Sequence, residues 1–237
     1  RRTGEQVVDP RDAYLLTNVL SDREARCLVF SCPGNALELP SRPAAAKTGT
    51  TNDYRDAWTV GYTPDIVAGV WVGNNDNSEM VSVPGSLGAG PIWNAFMTRA
   101  HEGIPVHEFP RPQGIVEREV CALSGTEPSQ YCPETRREIF SIDNLPPDED
   151  QDWIQRVVID NYTGKRANQF CQRNTSEKVM VVLEDVQDPD GRDWLRQWAA
   201  ENGYEIAPQT FCTASAASDQ VRISRPQDGA EVYGAVE

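Results

Sequence analysis

At 237 residues the chain is long enough for one large domain or two small ones with a real hydrophobic core. A formal net charge of −14 speaks against nucleic acid as a partner, because a phosphate backbone needs Lys and Arg to displace its counterions. No run reaches the roughly 20 apolar residues of a membrane helix, and six cysteines without a CxxC pair predict disulfides in an oxidising compartment, with buried thiols as the alternative. No metal and no cofactor is expected.

The chain opens on Arg1 without an initiator methionine and closes on VRISRPQDGAEVYGAVE, a strand, a turn and a second strand with nothing to pair it. This reads as an excerpt of a longer protein. In VVDPRDAYLLTNVLSD, Asp9 is placed to cap a helix, Pro10 to open it and Asp12 to face its positive end. Ala13, Leu16 and Leu20 recur at helical spacing and predict one buried face. LVFSCPGNALELPSRP then reads as a loop.

From Ala44 the pattern turns to strands. AWTVGYT and DIVAGVWVGN, joined by the turn signal Thr63-Pro64-Asp65, predict an antiparallel hairpin. The second strand is apolar on both faces, the pattern of a central strand covered by helices. If upstream strands and helices are missing, its stretch from Ile66 to Val72 is expected to have exposed faces. GAGPIWNAFMTRAHEG supplies a helix with Pro91 near its start and Ile92, Ala95, Phe96 and Arg99 spaced along it. Three prolines and a glycine in IPVHEFPRPQG mark a boundary.

Short strands are expected around CALSGTEPSQYC, with NLPPDEDQDW as an acidic connector and RVVIDNYTGKRA and KVMVVLE as further strands. DPDGRDWLRQWAAENG is a capped helix: Asp188 caps, Pro189 opens, Trp194 and Trp198 stand one turn apart, and Gly203 ends it. Six cysteines allow 15 pairings. The short, turn-rich segment favours Cys121 with Cys132, and Cys27 with Cys32 and Cys171 with Cys212 follow by elimination.

The chemistry gathers at AAAKTGTTNDYRDAW. An ammonium beside two hydroxyls on a strand suits a carboxylate: Lys47 gives charge, and Thr48 and Thr50 give directional hydrogen bonds. Gly49 leaves room for a substrate backbone along the strand edge. Such a set would hold a peptide C-terminus or its mimic. A phosphate-binding loop would need glycine at the positions of Ala46 and Ser41. For the bare tripeptide, an ordinary exposed Lys-Thr-Gly at a strand start is the plainer alternative.

The wider run KTGTTNDYRDAWTVGYTPDIVAGVWVGNNDN, followed by GSLGAGPIWNAFM, resembles the closing part of the transpeptidase domain of class A penicillin-binding proteins, from about Val8 to Arg99. VCALSGTEPSQYC resembles the cysteine-bearing segment after that domain in some members, and the C-terminal run resembles the start of an immunoglobulin-like module. The resemblance implies an α+β fold: a partial antiparallel sheet flanked by helices, of the serine D,D-peptidase and β-lactamase kind, then a smaller disulfide-bearing α+β region. The expected divisions are 1–105, 106–216 and 217–237.

In that family Ser-x-x-Lys gives the nucleophile and its base, Ser-x-Asn assists proton transfer, and Lys-Thr-Gly lines the opposite wall. The resemblance implies that Lys47, Thr48, Gly49 and Thr50 bind a D-Ala-D-Ala stem peptide or a β-lactam, with Lys47, Thr48 and Thr50 holding its carboxylate and the Thr50 backbone N–H as an oxyanion donor. It also implies acyl transfer through a serine ester, a glycosyltransferase domain upstream, a membrane anchor, and a place on the extracytoplasmic face of a bacterial plasma membrane. Cell-wall, divisome or elongation proteins are possible partners. The alternatives are a serine β-lactamase or D,D-carboxypeptidase, and a non-catalytic penicillin-recognising or wall-binding module.

The sequence departs from the pattern in one decisive way: no serine is followed by lysine three residues on, and Pro33 occupies the asparagine position of Ser31-x-Asn. The chain by itself is therefore expected to be inactive. Trp58 and Trp71 read as core, Asp53 and Asp56 as loop-shaping residues, and His101 and His107 as surface residues. Asn161-Tyr-Thr163 and Asn174-Thr-Ser176 match the glycosylation pattern, idle in a bacterium.

Overall fold

Asp9 starts the first helix as its position predicts, its carboxylate accepting the Arg11 N–H at 2.8 Å with Pro10 next in line. The computed structural model describes residues 5–27 and 29–213; the expected immunoglobulin-like start at 217–237 lies outside them. The architecture is mixed α+β with antiparallel sheets, and the chain divides into two compact units, Arg1–Glu117 with Ile139–Leu145 and Arg118–Glu138 with Pro146–Glu237.

In the first unit α1 (Pro10–Ser21) and the short α2 (Arg23–Cys27) precede three strands, β1 (Ala45–Thr50), β2 (Asp56–Tyr62) and β3 (Val67–Gly73). The sheet order is β1-β2-β3, antiparallel throughout, with Lys47 opposite Val60, Gly49 opposite Trp58 and Trp58 opposite Trp71. The hairpin turn is the expected one, closed by the Thr63 N–H on the Ile66 carbonyl at 2.9 Å. α3 (Ala89–Ala100) packs against β2 and β3.

The core lies between α3 and one face of the sheet. Trp93 and Met97 are fully buried and meet Leu37, Leu39, Ala44 and Ala46. The Trp93 Nε1–H donates to the Ala68 carbonyl at 3.2 Å, so the indole buries its ring without stranding its donor. A Cβ at Gly61 would overlap the Trp93 ring, so the smallest residue sits where the largest packs.

Four sequence expectations are corrected here. β3 is an edge strand among the described residues, not a central one: β2 holds the centre, and Val67 is 72% exposed. Trp58 and Trp71 are not core. They face each other across the strands on the side away from α3, each more than 40% exposed, because an alternating strand must send Val70 and Val72 inward and Trp71 outward. On α3 the inward face is Trp93 and Met97, and the line through Ile92 and Phe96 points out. On α1 the buried residue is Thr17, with Ala13 and Leu16 exposed and Leu20 half-buried. A hydrogen bond sets that rotation: the Thr17 and Tyr62 hydroxyls lie 2.8 Å apart.

β4 (Ile115–Cys121) and β5 (Thr135–Ser141) form a two-stranded ribbon. In the second unit β6 (Ile154–Asp160) pairs with β7 (Thr175–Val181), and α4 (Pro189–Glu201) supplies Leu195 and Ala199 to a core with Ile154, Val181, Leu183 and Val186. The Asp188 carboxylate accepts the Gly191 N–H at 2.8 Å. Gly203, at φ 77°, follows the last turn in a conformation that only a residue without a Cβ takes freely. Trp198 stacks on Tyr204 at 5.5 Å. The three disulfides are Cys27–Cys32, Cys121–Cys132 and Cys171–Cys212, with Cα separations of 5.4, 5.8 and 6.5 Å.

Candidate functional site

The lysine-threonine-glycine run lies on β1, at the edge of the sheet. The Thr51 N–H bonds to the Asp56 carbonyl at 3.1 Å, and inward-bonding residues alternate along an antiparallel pair. Thr51, Gly49 and Lys47 therefore turn their backbone groups toward β2. Thr48 and Thr50 turn theirs to the unpaired edge. The Thr50 N–H thus faces outward with no strand opposite among the described residues.

Side chains alternate as well. Lys47 and Gly49 share the outer face with Trp58, Val60 and Trp71, while Thr48 and Thr50 lie on the face that carries α3. Lys47 is exposed, and its Nζ donates to the Thr48 carbonyl at 2.6 Å, one of the groups on the free edge. No carboxylate pairs with Lys47 among the described residues. The ammonium can therefore swing from a neutral acceptor to an anion.

Gly85 fixes the far end of the run, a part that reading from the lysine alone misses. The Gly85 N–H donates to Thr50 Oγ1 at 3.0 Å, and its carbonyl accepts from Thr59 Oγ1 at 3.2 Å. A Cβ on Gly85 would lie 2.5 Å from the carbonyl oxygens of Gly49 and Trp58. Only glycine lets the chain lie on the β1–β2 backbone there. With a lone pair occupied by this N–H, the Thr50 hydroxyl keeps its own proton to donate.

The following loop is braced as expected of Asp53 and Asp56. Thr51 Oγ1 donates to Asp56 Oδ2 at 3.0 Å, the Asp56 N–H returns to Thr51 Oγ1 at 2.8 Å, and Trp71 Nε1–H donates to Asp56 Oδ1 at 2.7 Å. Asp53 and Tyr54 take positive φ. Arg55 ties this loop to the next one through the Asn77 carbonyl at 2.7 Å and Glu79 at 3.2 Å. His107 is exposed on Asp65, but His101 is buried, a correction to its expected surface place. Its Nδ1–H donates to the Met97 carbonyl at 2.7 Å and its Nε2 accepts from Thr63 Oγ1 at 2.8 Å, so it fastens the end of α3 to the hairpin turn.

Comparison with known proteins adds family to geometry. Residues 111–155 match the family model described as Penicillin-binding protein 1A, C-terminal domain. Penicillin-binding protein 1A of Pseudomonas aeruginosa is 34% identical over 145 residues, 61% of this chain and 17% of that protein. Penicillin-binding protein 1A of Clostridium botulinum (strain Langeland) is 27% identical over 223 residues, 87% of this chain and 27% of its own length. Over these stretches the chain is similar to Penicillin-binding protein 1A. A crystal structure of Penicillin-binding protein 1A from Haemophilus influenzae is similar at TM-score 0.45 and 25% identity, over 59% of this chain and 21% of that one. The chain thus spans about a quarter or less of the penicillin-binding proteins named here.

Proposed function

We propose that β1 forms one wall of a serine D,D-transpeptidase site of the penicillin-binding type, acting in peptidoglycan cross-linking with a nucleophile supplied by sequence beyond these 237 residues. The observation that carries this reading is the Thr50 N–H on the unpaired edge beside Lys47. An extended D-Ala-D-Ala peptide, or a β-lactam in its place, pairs with that edge. Lys47, whose Nζ already reaches the free edge at the Thr48 carbonyl, takes its carboxylate, while the Thr48 and Thr50 side chains lie on the other face of the strand. When the serine attacks the D-Ala carbonyl, charge develops on the carbonyl oxygen and the Thr50 N–H stabilises it; one such donor is worth about 3 to 4 kcal/mol of barrier. D-Ala leaves, and an amine of a neighbouring stem peptide resolves the ester.

The surrounding chain supports the same setting. A match at residues 111–155, past the last helix of the first unit, favours the penicillin-binding protein over a β-lactamase. In this reading residues 106–216 are an extension of the transpeptidase domain. The three disulfides fit an extracytoplasmic location at the bacterial membrane. No described helix is long and apolar enough to cross a membrane.

The test uses fluorescent penicillin and the longer protein with its Ser-x-x-Lys segment. The 237-residue chain forms no covalent adduct, and the longer protein does. There Thr50→Pro removes the outward N–H at a position where a strand edge tolerates proline, and acylation slows by about 10² to 10³. Thr50→Val keeps the N–H and slows it less. Equal rates for the two variants would remove the oxyanion role.

A further inference from the structure

Beyond the transpeptidase wall, we propose that Cys121, Cys132 and Asp152 in the second unit form a binding site for a thiophilic divalent cation such as Zn²⁺ when their disulfide is reduced. The three side chains offer two sulfurs and a carboxylate oxygen that all lie within 4.8 Å of one another. In a tetrahedral zinc site with bonds of about 2.0 to 2.3 Å the ligand atoms stand roughly 3.5 to 3.8 Å apart.

The unpaired charge is the strongest reason. Asp152 is fully buried. Its Oδ1 accepts from Ser124 Oγ at 2.9 Å and its Oδ2 from Ser129 Oγ at 2.6 Å, and no cationic side chain pairs with it among the described residues. Two neutral donors leave a buried carboxylate without a counter-charge, a costly arrangement that a cation relieves. The same two hydroxyls fix the orientation of the carboxylate, as partners of metal ligands do.

The backbone that carries the two sulfurs is held by bonds other than the disulfide. The Cys121 N–H bonds to the Thr126 carbonyl at 2.9 Å, the Gly125 N–H returns to the Cys121 carbonyl at 2.8 Å, the Cys132 N–H bonds to Ser129 at 3.1 Å, and the Ala122 N–H bonds to Glu134 at 2.8 Å. None of these backbone bonds runs through the sulfurs. Reduction by a dithiol transfers two electrons and two protons to the pair, giving two thiols while the dithiol becomes a disulfide. The cation then displaces the two thiol protons to solvent. Three protein ligands leave a fourth position for water.

The experiment takes the 237-residue chain, reduces it with a phosphine, and titrates Co²⁺ alone while following sulfur-to-cobalt charge-transfer absorption in the near ultraviolet. The other two cysteine pairs are reduced as well, so the site is read as the difference from Cys121→Ser/Cys132→Ser in the same buffer. Asp152→Asn, which keeps shape and removes charge, weakens this component at least tenfold, and the oxidised chain lacks it. Identical titrations of wild type and the double-serine variant would overturn the proposal. So would an undiminished Asp152→Asn, or loss of native circular dichroism on reduction, because the site requires the folded frame.

Discussion

The hydroxyl of Thr50 accepts the backbone N–H of Gly85 at 3.0 Å, across 35 residues of chain. A loop that looks like simple connection between β3 and α3 therefore holds the last residue of the lysine-threonine-glycine run. Gly85→Ala sets a methyl 2.5 Å from two backbone oxygens that cannot yield as a side chain would. The expected cost is about 1 to 3 kcal/mol of stability, read by urea unfolding. A variant as stable as wild type would mean the loop does not press on the strands.

If β1 is the proposed transpeptidase wall, Lys47→Ala in the longer protein removes the ammonium that would meet the ligand carboxylate. A hydrogen bond between charged groups contributes about 1.5 to 3 kcal/mol, so penicillin acylation falls by roughly ten- to a hundredfold. Lys47→Arg keeps the charge, changes its geometry, and does less harm. Unchanged acylation in Lys47→Ala would sink the carboxylate role.

Trp93→Ala tests which face of α3 is inside. The ring is fully buried, and truncating a buried Trp costs about 3 to 5 kcal/mol. Ile92 is 54% exposed, and Ile92→Ala changes stability by under about 1 kcal/mol. The reverse order in thermal melts would restore the face suggested by sequence spacing.

That reversal shows what the sequence could and could not convey. Asp9, Asp188 and Gly203 announced helix ends because caps are local chemistry, and the Thr63-Pro64-Asp65 turn announced the hairpin for the same reason. The neighbours of an element are not local. The stretch 66–72 reads as central and covered on both faces by composition, yet 67–72 lies at the edge of the described sheet, and the face that carries Trp58 and Trp71 is exposed. At the candidate site Lys47 to Thr50 stood out as a motif. The outward turn of the Thr50 N–H needed the pairing register, and Gly85 needed the tertiary contact. Cys121–Cys132 was legible because a short loop fixes its own partner.

Asp9 carries a prediction for acid. The Arg11 side chain, and next the Arg11 N–H, hold its carboxyl down at about 2, against 3.8 ordinarily. The folded value is the lower one, so the contribution to stability is complete above 3.8 and is lost as pH falls from there through 2. Glu38 is lowered in the same sense by the Gly34 N–H and Arg23. A carbon-detected titration should place the Asp9 midpoint near 2, and Arg11→Ala should raise it. A wild-type midpoint at 3.8 would show that the cap is open in solution.

Protein isolated from an oxidising preparation should contain no reactive thiol, and peptide mapping should link Cys121 to Cys132. Six titratable thiols there would contradict the disulfides and weaken the extracytoplasmic assignment.

The bond from Lys47 Nζ to the Thr48 carbonyl has one more effect. An open strand edge is a template for any extended chain, another molecule of the same protein included. By occupying one edge acceptor with its own ammonium, the strand makes pairing conditional on an exchange: a newcomer must offer the lysine a better acceptor before it gains that carbonyl. A carboxylate does so and an ordinary backbone does not. The residue that would welcome the substrate is thus also the one that discourages self-association, and Lys47→Ala should make the chain stickier at high concentration, a change light scattering would register.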